Sequence, residues 1–527
     1  MLNIMNQQSL INFPNGLPNN GLPLPVGIVS GNISVSSGNI SLYTASGAVG
    51  QGNPLPVDIG GGTININVAS GTNLNVSVTS GLFAILSGKV SVSSGNTSIY
   101  TASGSVSQLN PFPVSISSGA FSNNTIPVSF AAGTTDAFGR LRVSNPFTLF
   151  DSQHRYQIND KWNYVTSGGG STVYDTNGSL VNLNTNLASG SQVIAETKRV
   201  MPYQPGKSLL IYSTFTMSSA QETLRQRIGY FGEQNGIYFE VDGSSVNFVK
   251  RSYVSGSVVE TKATRNGVSD WNIDNLDGTG PSGFNLSNYS SSLILYIEIE
   301  WLGVGDVRVG FVLNSTYVPC HSFKHTPVGG SPISGTYMTT ACLPLRAEIT
   351  NKGPITNSGN LKQICNSVIS EGGYEGFSRR YNVSLGTNPK NLTNADQLYP
   401  IISLRLASGR LDSIVVPSNL NAIVTSNQDI QYRFLLNATL SGESWTTHYN
   451  GNVQYDTSAT SLTSGSGADI IGGYVNKQGS LDVASINQFN FQIGRLLNGT
   501  SETLTVAFAP TSANTKVLAD LAWFEIV

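Results

Sequence analysis

Apolar and polar residues alternate along most of this chain with a period of two, the spacing of a strand with one buried face. In the first 135 residues the alternating runs are short: Ile33-Ser-Val35, Ile64-Asn-Ile-Asn-Val68 and Leu74-Asn-Val-Ser-Val78. Ser-Gly steps separate them, and glycine supplies the positive-φ turn between strands. Strands of about four or five residues bury too little surface to stand alone.

The runs also repeat. Ser30-Gly-Asn-Ile-Ser-Val-Ser-Ser-Gly38 returns as Ser87-Gly-Lys-Val-Ser-Val-Ser-Ser-Gly95, and Tyr43-Thr-Ala-Ser-Gly47 returns as Tyr100-Thr-Ala-Ser-Gly104. Asn53-Pro-Leu-Pro-Val57 returns as Asn110-Pro-Phe-Pro-Val114, and the offset is 57 residues throughout. A Pro-x-Pro-Val-x-Ile element begins at Pro23, Pro54 and Pro111. Its prolines lack N–H donors and would interrupt a ladder, separating stacked β units with extended connectors. Repeats that cannot bury a core alone must stack on one another or on other copies of the chain. The expected solution is a homotrimer in which three chains turn the same apolar face inward. Residues 26–135 are then a stem and residues 1–25 an anchor.

From residue 136 the strands lengthen. Residues 208–217, 227–231, 236–241, 246–250, 292–301 and 306–313 are strongly β-prone. Asn235-Gly236 and Asp242-Gly243 lie between successive runs and carry hairpin chemistry, as does Leu302-Gly-Val-Gly305. A helix is expected only near residues 360–371. Further strands follow at 400–406, 413–416, 430–436, 489–493, 503–508 and 518–527. The expected fold class is all-β: a repetitive N-terminal β stem of short strands followed by one or two jelly-roll-like β-sandwich domains, over residues 136–375 and 376–527.

Composition sharpens this picture. Charged residues make up 11 % of the chain, against about 25 % in an ordinary soluble protein. Abundant Val, Ile, Tyr and Phe nevertheless argue against disorder. Residues 1–135 hold only two charges, Asp58 and Lys89. A net charge of −2 without a basic cluster gives nucleic acid no electrostatic footprint. Three cysteines are too few, and odd in number, for a disulfide scaffold, which suits assembly in a reducing cytoplasm. The first residues lack a basic-then-apolar signal, and no apolar run approaches the ~18 residues of a membrane span. Neither a nucleic acid nor a membrane is an expected partner, and no cofactor is expected.

The composition changes at Asp136-Ala-Phe-Gly-Arg-Leu-Arg-Val-Ser-Asn-Pro-Phe-Thr-Leu-Phe-Asp151. This junction resembles a segment of virion structural proteins of tailed phages, particularly phages of aquatic bacteria. So do Trp271-Asn-Ile-Asp-Asn-Leu-Asp-Gly-Thr-Gly-Pro-Ser-Gly283 and Ile299-Glu-Trp-Leu-Gly-Val-Gly-Asp-Val-Arg-Val-Gly-Phe311. The likeness covers about residues 136–375. It implies a component of the particle and carries over no catalytic residue. Chain-to-chain packing is expected at Asp136, Phe138, Arg140, Arg142, Phe147 and Asp151. The plainer reading of the same charges is a local salt bridge, worth at most ~1 kcal/mol if exposed.

Candidate chemistry is sparse. Cys320, His321, His325, Cys342 and Cys365 include a His-x-x-x-His pair, but Pro319 and Pro327 argue against the helix that would align it. On a strand those two rings would stand ~13 Å apart. Glu298 and Glu300 are spaced to share a strand face, and their alternation with Ile297 and Ile299 predicts a solvent-exposed face and not a glycosidase pair. Asp274-x-x-Asp277-Gly278 has the look of an oxygen-rich calcium turn, with an Asx-turn the plainer reading. His154 has no nucleophile elbow near it, and no P-loop or dinucleotide fingerprint is present. Trp445 and Tyr449 are candidates for stacking on sugars. The expected function is therefore that of a non-enzymatic virion structural protein, a trimeric fibre or spike. Its N-terminal segment would contact other capsid or tail proteins and its body host-surface glycans. A polysaccharide-degrading tailspike and a capsid decoration protein are the alternatives.

Overall fold

The computed structural model describes residues 145–526 apart from 266–270, 328–332, 377, 478–479 and 484–490, together with six short strands among residues 2–105. The chain divides into a unit of residues 1–120 and a unit of residues 121–527. In the first unit, Tyr43–Thr44 pairs antiparallel with Gly47–Ala48, and Tyr100–Thr101 with Gly104–Ser105. Tyr43 faces Ala48 as Tyr100 faces Ser105, so the two copies of the repeat share the same antiparallel pairing. Leu2–Ile4 pairs parallel with Val26–Ile28. The three alternating runs quoted above lie outside the described residues.

The second unit is all-β and holds two antiparallel sandwiches of jelly-roll type. The first is built from an eight-stranded and a seven-stranded sheet. Across the eight-stranded sheet the order is Thr316–Phe323, Val307–Leu313, Leu293–Ile299, Leu209–Met217, Asn360–Ser370, Leu180–Asn184 and Ser171–Asp175, with Phe147–Gln153 also pairing Asn360–Ser370. The seven-stranded sheet runs Val259–Thr264, Ser245–Ser252, Gly236–Asp242, Leu224–Phe231, Leu345–Asn351, Gln192–Thr197 and Trp162–Ser167. Between them lies an aromatic core. Phe239 meets Phe311 edge-on at 5.2 Å and Phe215 at 6.0 Å, and Phe248 packs against Trp271 at 4.6 Å. Phe215, Phe239, Phe248 and Phe311 stand at inward-facing strand positions of the two sheets, and Trp271 reaches the same filling from outside the strands.

The hairpin chemistry holds where expected. Gly236 opens its strand with an added Cβ only 2.0 Å from that of Phe231, a space no other residue fits. Gly243 follows Asp242 at φ +61°, a conformation that favours glycine. The expected helix is absent: Asn360–Ser370 is an eleven-residue strand at the middle of the eight-stranded sheet. It alternates Leu361, Gln363 and Val368 toward burial, and it pairs with Leu209–Met217 along one edge and with Leu180–Asn184 and Phe147–Gln153 along the other. Three partners outweigh a weak local helical preference.

The second sandwich has its own core around Trp523, Phe434, Phe508, Leu404 and Val506. Its five-stranded sheet orders Arg379–Ser384, Thr515–Ile526, Ile414–Val424 and Ser480–Val483, with Lys390–Leu392 completing the edge. The facing sheet orders Thr446–Thr447, Val453–Asp456, Tyr399–Leu406, Thr503–Pro510, Ile430–Leu436 and Ala468–Val475. Val200 of the first sandwich packs with Ile414 and Val416 of the second. Arg495 crosses the same joint, placing its Nη2 2.6 Å from Glu196 and its Nη1 2.5 Å from Asp412.

Candidate functional site

The seven-stranded sheet turns Val193, Ala195, Ala347, Ile349 and Ile228 toward the core. Alternation then places Glu196, Arg346, Glu348 and Arg227 on the opposite face. Register sets charge against charge: Glu196 faces Arg346, Glu348 faces Arg227, Arg227 faces Glu240, and Arg251 faces Glu260. Arg346 donates to Glu196 at 2.9 Å and to Glu348 at 3.0 Å, while Arg227 also donates to Glu348. Arg251 and the Tyr238 hydroxyl both donate to Glu260, at 2.7 and 2.6 Å. Glu196, Arg227, Arg346 and Glu348 are all buried.

Burial opposes ionisation of Glu348, but Arg227, Arg346 and Arg225 outweigh it and hold the carboxyl down at about 2. Burial pushes Glu196 upward against the pull of Arg495 and Arg346. A glycosidase needs two carboxyl groups open to the sugar, one of them protonated. Glu196 and Glu348 are instead buried and share the Arg346 guanidinium. The pattern Arg225-Gln-Arg227 and Arg346-Ala-Glu348 inside apolar strands is the sequence signal for this network, but each strand alone reads as half-exposed.

A second group lies on the other sandwich. The loop after Thr446–Thr447 carries His448, Tyr449, Asn450 and Asn452. Glu525, buried, accepts from the Asn450 amide, from the Asn452 amide at 2.9 Å and from Trp523 Nε1 at 2.8 Å. His448 packs edge-on against Trp523 at 5.1 Å, and Tyr449 lies 4.5 Å from His448 and 5.6 Å from Tyr381. The carboxylate thus fixes the loop, and Tyr449 is left 78 % exposed at its tip. Trp445 is half-buried with the Arg405 guanidinium 4.0 Å over its ring.

The remaining sequence candidates scatter. Asp136, Phe138, Arg140 and Arg142 lie outside the described residues. Phe147 is half-buried with its ring 5.7 Å from Tyr374, and Asp151 is exposed, 3.7 Å from Lys161. Glu298 is not on a solvent face: it is buried and paired with Arg308 at 3.0 Å, because the neighbouring strand brings an arginine opposite it. Glu300 lies beyond the end of that strand. Cys320 points into the core beside a bulge, and His321 pairs with Val309, packs 4.5 Å from Phe323 and accepts from the Asn272 backbone N–H. His325 stacks on Tyr337 at 4.0 Å, and Cys365 is exposed elsewhere. Among the described residues no group of His, Cys, Asp and Glu gathers into a metal site. Asp274 accepts from the Leu276 and Ser282 amides and Asp277 from Thr279, so both carboxylates shape turns. His154 is buried, with Asn159 N donating to its Nδ1.

No family model matches the chain, and no curated protein is similar to it. Among solved structures it is similar to a protein of unknown function from Shewanella oneidensis MR-1, with 11 % identity and a TM-score of 0.28 over 48 % of this chain and 99 % of that one. It is also similar to a Bacteroides ovatus mixed-linkage glucan GH16 protein (9 % identity, TM-score 0.28, 42 % and 99 % covered) and to peanut lectin (12 %, 0.24, 43 % and 98 %). Likeness at this level bears on neither substrate nor partner.

Proposed function

We propose that this chain is a non-enzymatic structural protein of a virus particle, a homotrimeric fibre or spike on the capsid or tail of a tailed phage. Its N-terminal segment joins other particle proteins, and its sandwiches face glycans of the host surface. The observation that carries this reading is the 57-residue repeat, whose two copies share the same antiparallel pairing, ahead of a sandwich body. Units so small need neighbouring copies to complete a core. The junction and the two body segments that resemble virion proteins support the particle role. The pairing of the buried carboxylates Glu196, Glu240, Glu298 and Glu348 with cations favours a scaffold over an enzyme. The exposed Tyr449, held by Glu525 amid amide groups, supports sugar contact.

Sedimentation of the purified full chain is expected to give three times the chain mass, and a monomer would remove the trimer. Antibody-labelled electron microscopy of particles is expected to mark slender projections. Label spread evenly over the capsid would favour a decoration protein. Release of reducing ends from host polysaccharide would make it a tailspike enzyme.

A further inference from the structure

The charged face of the seven-stranded sheet ends in a cluster that differs from the rest of the network. Gly236–Asp242, Ser245–Ser252 and the edge strand Val259–Thr264 lie side by side, with Glu240 opposite Asn247 and Asn247 opposite Thr264. Lys262, two residues before Thr264, occupies the diagonal position to Asn247 on the same face, within reach of a long side chain. One oxygen, Glu240 Oε1, holds both nitrogens: Lys262 Nζ lies 2.6 Å from it and Asn247 Nδ2 3.2 Å. The Thr264 hydroxyl donates to Asn247 Oδ1 at 2.7 Å, polarising the amide carbonyl. Glu240 and Asn247 are buried, and Glu240 Oε2 is a buried oxygen with no hydrogen-bond partner. An amine, a primary amide and a water-shielded carboxylate that touches both are the components of amide exchange.

We propose that Lys262 and Asn247 condense spontaneously into an intramolecular isopeptide bond, with Glu240 as the proton carrier. Glu240 takes a proton from the Lys262 ammonium, and the freed amine attacks Cγ of Asn247. The Thr264 hydroxyl donates to the oxyanion as it forms. Glu240 passes that proton to Nδ2 and takes a second one from the attacking nitrogen; the intermediate then collapses with cleavage of the Cγ–Nδ2 bond, and the second proton follows the departing ammonia as ammonium. The Nζ–Cγ bond replaces the Cγ–Nδ2 bond, ammonia leaves with the lysine's extra proton, and no oxidant or co-reactant enters. The unpartnered Glu240 Oε2 gives the proton a place to reside between the two transfers.

The product would tie an edge strand to its neighbour by a covalent rung. Among the described residues Val259–Thr264 pairs on one side only, so it is the natural point for the sheet to fray. The three cysteines are free, so a cross-link of this kind would secure the fold where disulfides do not.

Intact-mass spectrometry of the purified full chain tests this directly. The chain is expected to be lighter than its sequence mass by one ammonia. Proteolysis should yield a branched peptide joining the segments around Asn247 and Lys262, with no tryptic cleavage at Lys262. Asn247→Ala, Lys262→Arg and Glu240→Gln are each expected to restore the full sequence mass, with circular dichroism reporting that the sheets persist. A wild-type chain at full mass would overturn the proposal without any variant. So would an ammonia loss that survives Asn247→Ala or that maps to an Asn-Gly step such as Asn235-Gly236 and not to a branched peptide.

Discussion

At the scale of single residues, stability rests on charges that burial has made dependent on one another. Glu348 has three arginines around it: Arg225 at 3.7 Å, Arg346 at 3.0 Å, and Arg227, which donates to it directly. Removing one member of a buried ion pair leaves the others desolvated and unmatched, a loss of about 3–5 kcal/mol. Glu348→Ala is therefore expected to lower stability by that order, read as a lower urea midpoint at unchanged slope, while Asp151→Ala, at an exposed pair with Lys161, should change stability by no more than ~1 kcal/mol. Equal losses in the two variants would show that the buried network contributes nothing beyond a surface pair. Acid acts on the same scale. Burial depresses His154, His321 and His325 from the ordinary 6.5 to about 4. Their folded affinity for protons is below that of the unfolded chain, so the stability they allow is full above pH 6.5 and is lost as pH falls toward 4. Glu348, depressed from 4.5 to about 2, extends the loss to lower pH in the same direction. His154→Gln is expected to flatten the fall of the urea midpoint across the histidine window, and an unchanged slope would discount His154.

At the scale of elements, the strands were legible because alternation and turn chemistry agree. Asn235-Gly236 and Asp242-Gly243 bound Gly236–Asp242 where the sequence placed a strand. Residues 360–371 form a strand where a helix is expected for the opposite reason: the stretch Asn360-Leu-Lys-Gln-Ile-Cys carries polar groups at mixed spacing, and only its three partner strands explain why it extends. Leu361 and Val368, both fully buried, anchor it on the core. Leu361→Ala is expected to cost about 2–5 kcal/mol. Amide exchange should be slow along Asn360–Ser370, an eleven-residue strand with partners on both edges. Exchange there as fast as in an exposed loop would contradict its central position. The charged face was less legible. Each of its residues reads as a solvent-side charge on its own strand, and only the register shows that Glu196, Arg346, Glu348 and Arg227 satisfy one another. The Glu525 site was hidden similarly: Tyr449 was visible as an aromatic, but its supports come from a strand more than seventy residues later.

At the scale of the whole second unit, the question is whether the two sandwiches unfold together. Their shared apolar contact is small: Val200, Ile414 and Val416, flanked by Ile526 and Cys342. The polar contacts are therefore the larger part of the coupling. Lys198 lies 3.2 Å from Glu502, Gln492 donates to Val200 O at 3.2 Å, and Asn163 donates to Arg495 O at 2.9 Å. Arg495 is the central member, because its partner Glu196 is fully buried while its other partner, Asp412, is 64 % exposed. Arg495→Ala leaves Glu196 with Arg346 alone and removes a side chain that pairs with both sandwiches at once. Asp412→Ala removes only an exposed partner and should cost no more than ~1 kcal/mol. Interfaces of this size and polarity permit independent domain behaviour once their charges are broken. Scanning calorimetry is expected to show one cooperative transition for the wild-type unit and for Asp412→Ala, and two resolved transitions for Arg495→Ala. A single transition at an unchanged temperature in Arg495→Ala would place the coupling in the Val200 contact instead, and Val200→Ala would then be the variant that separates the two.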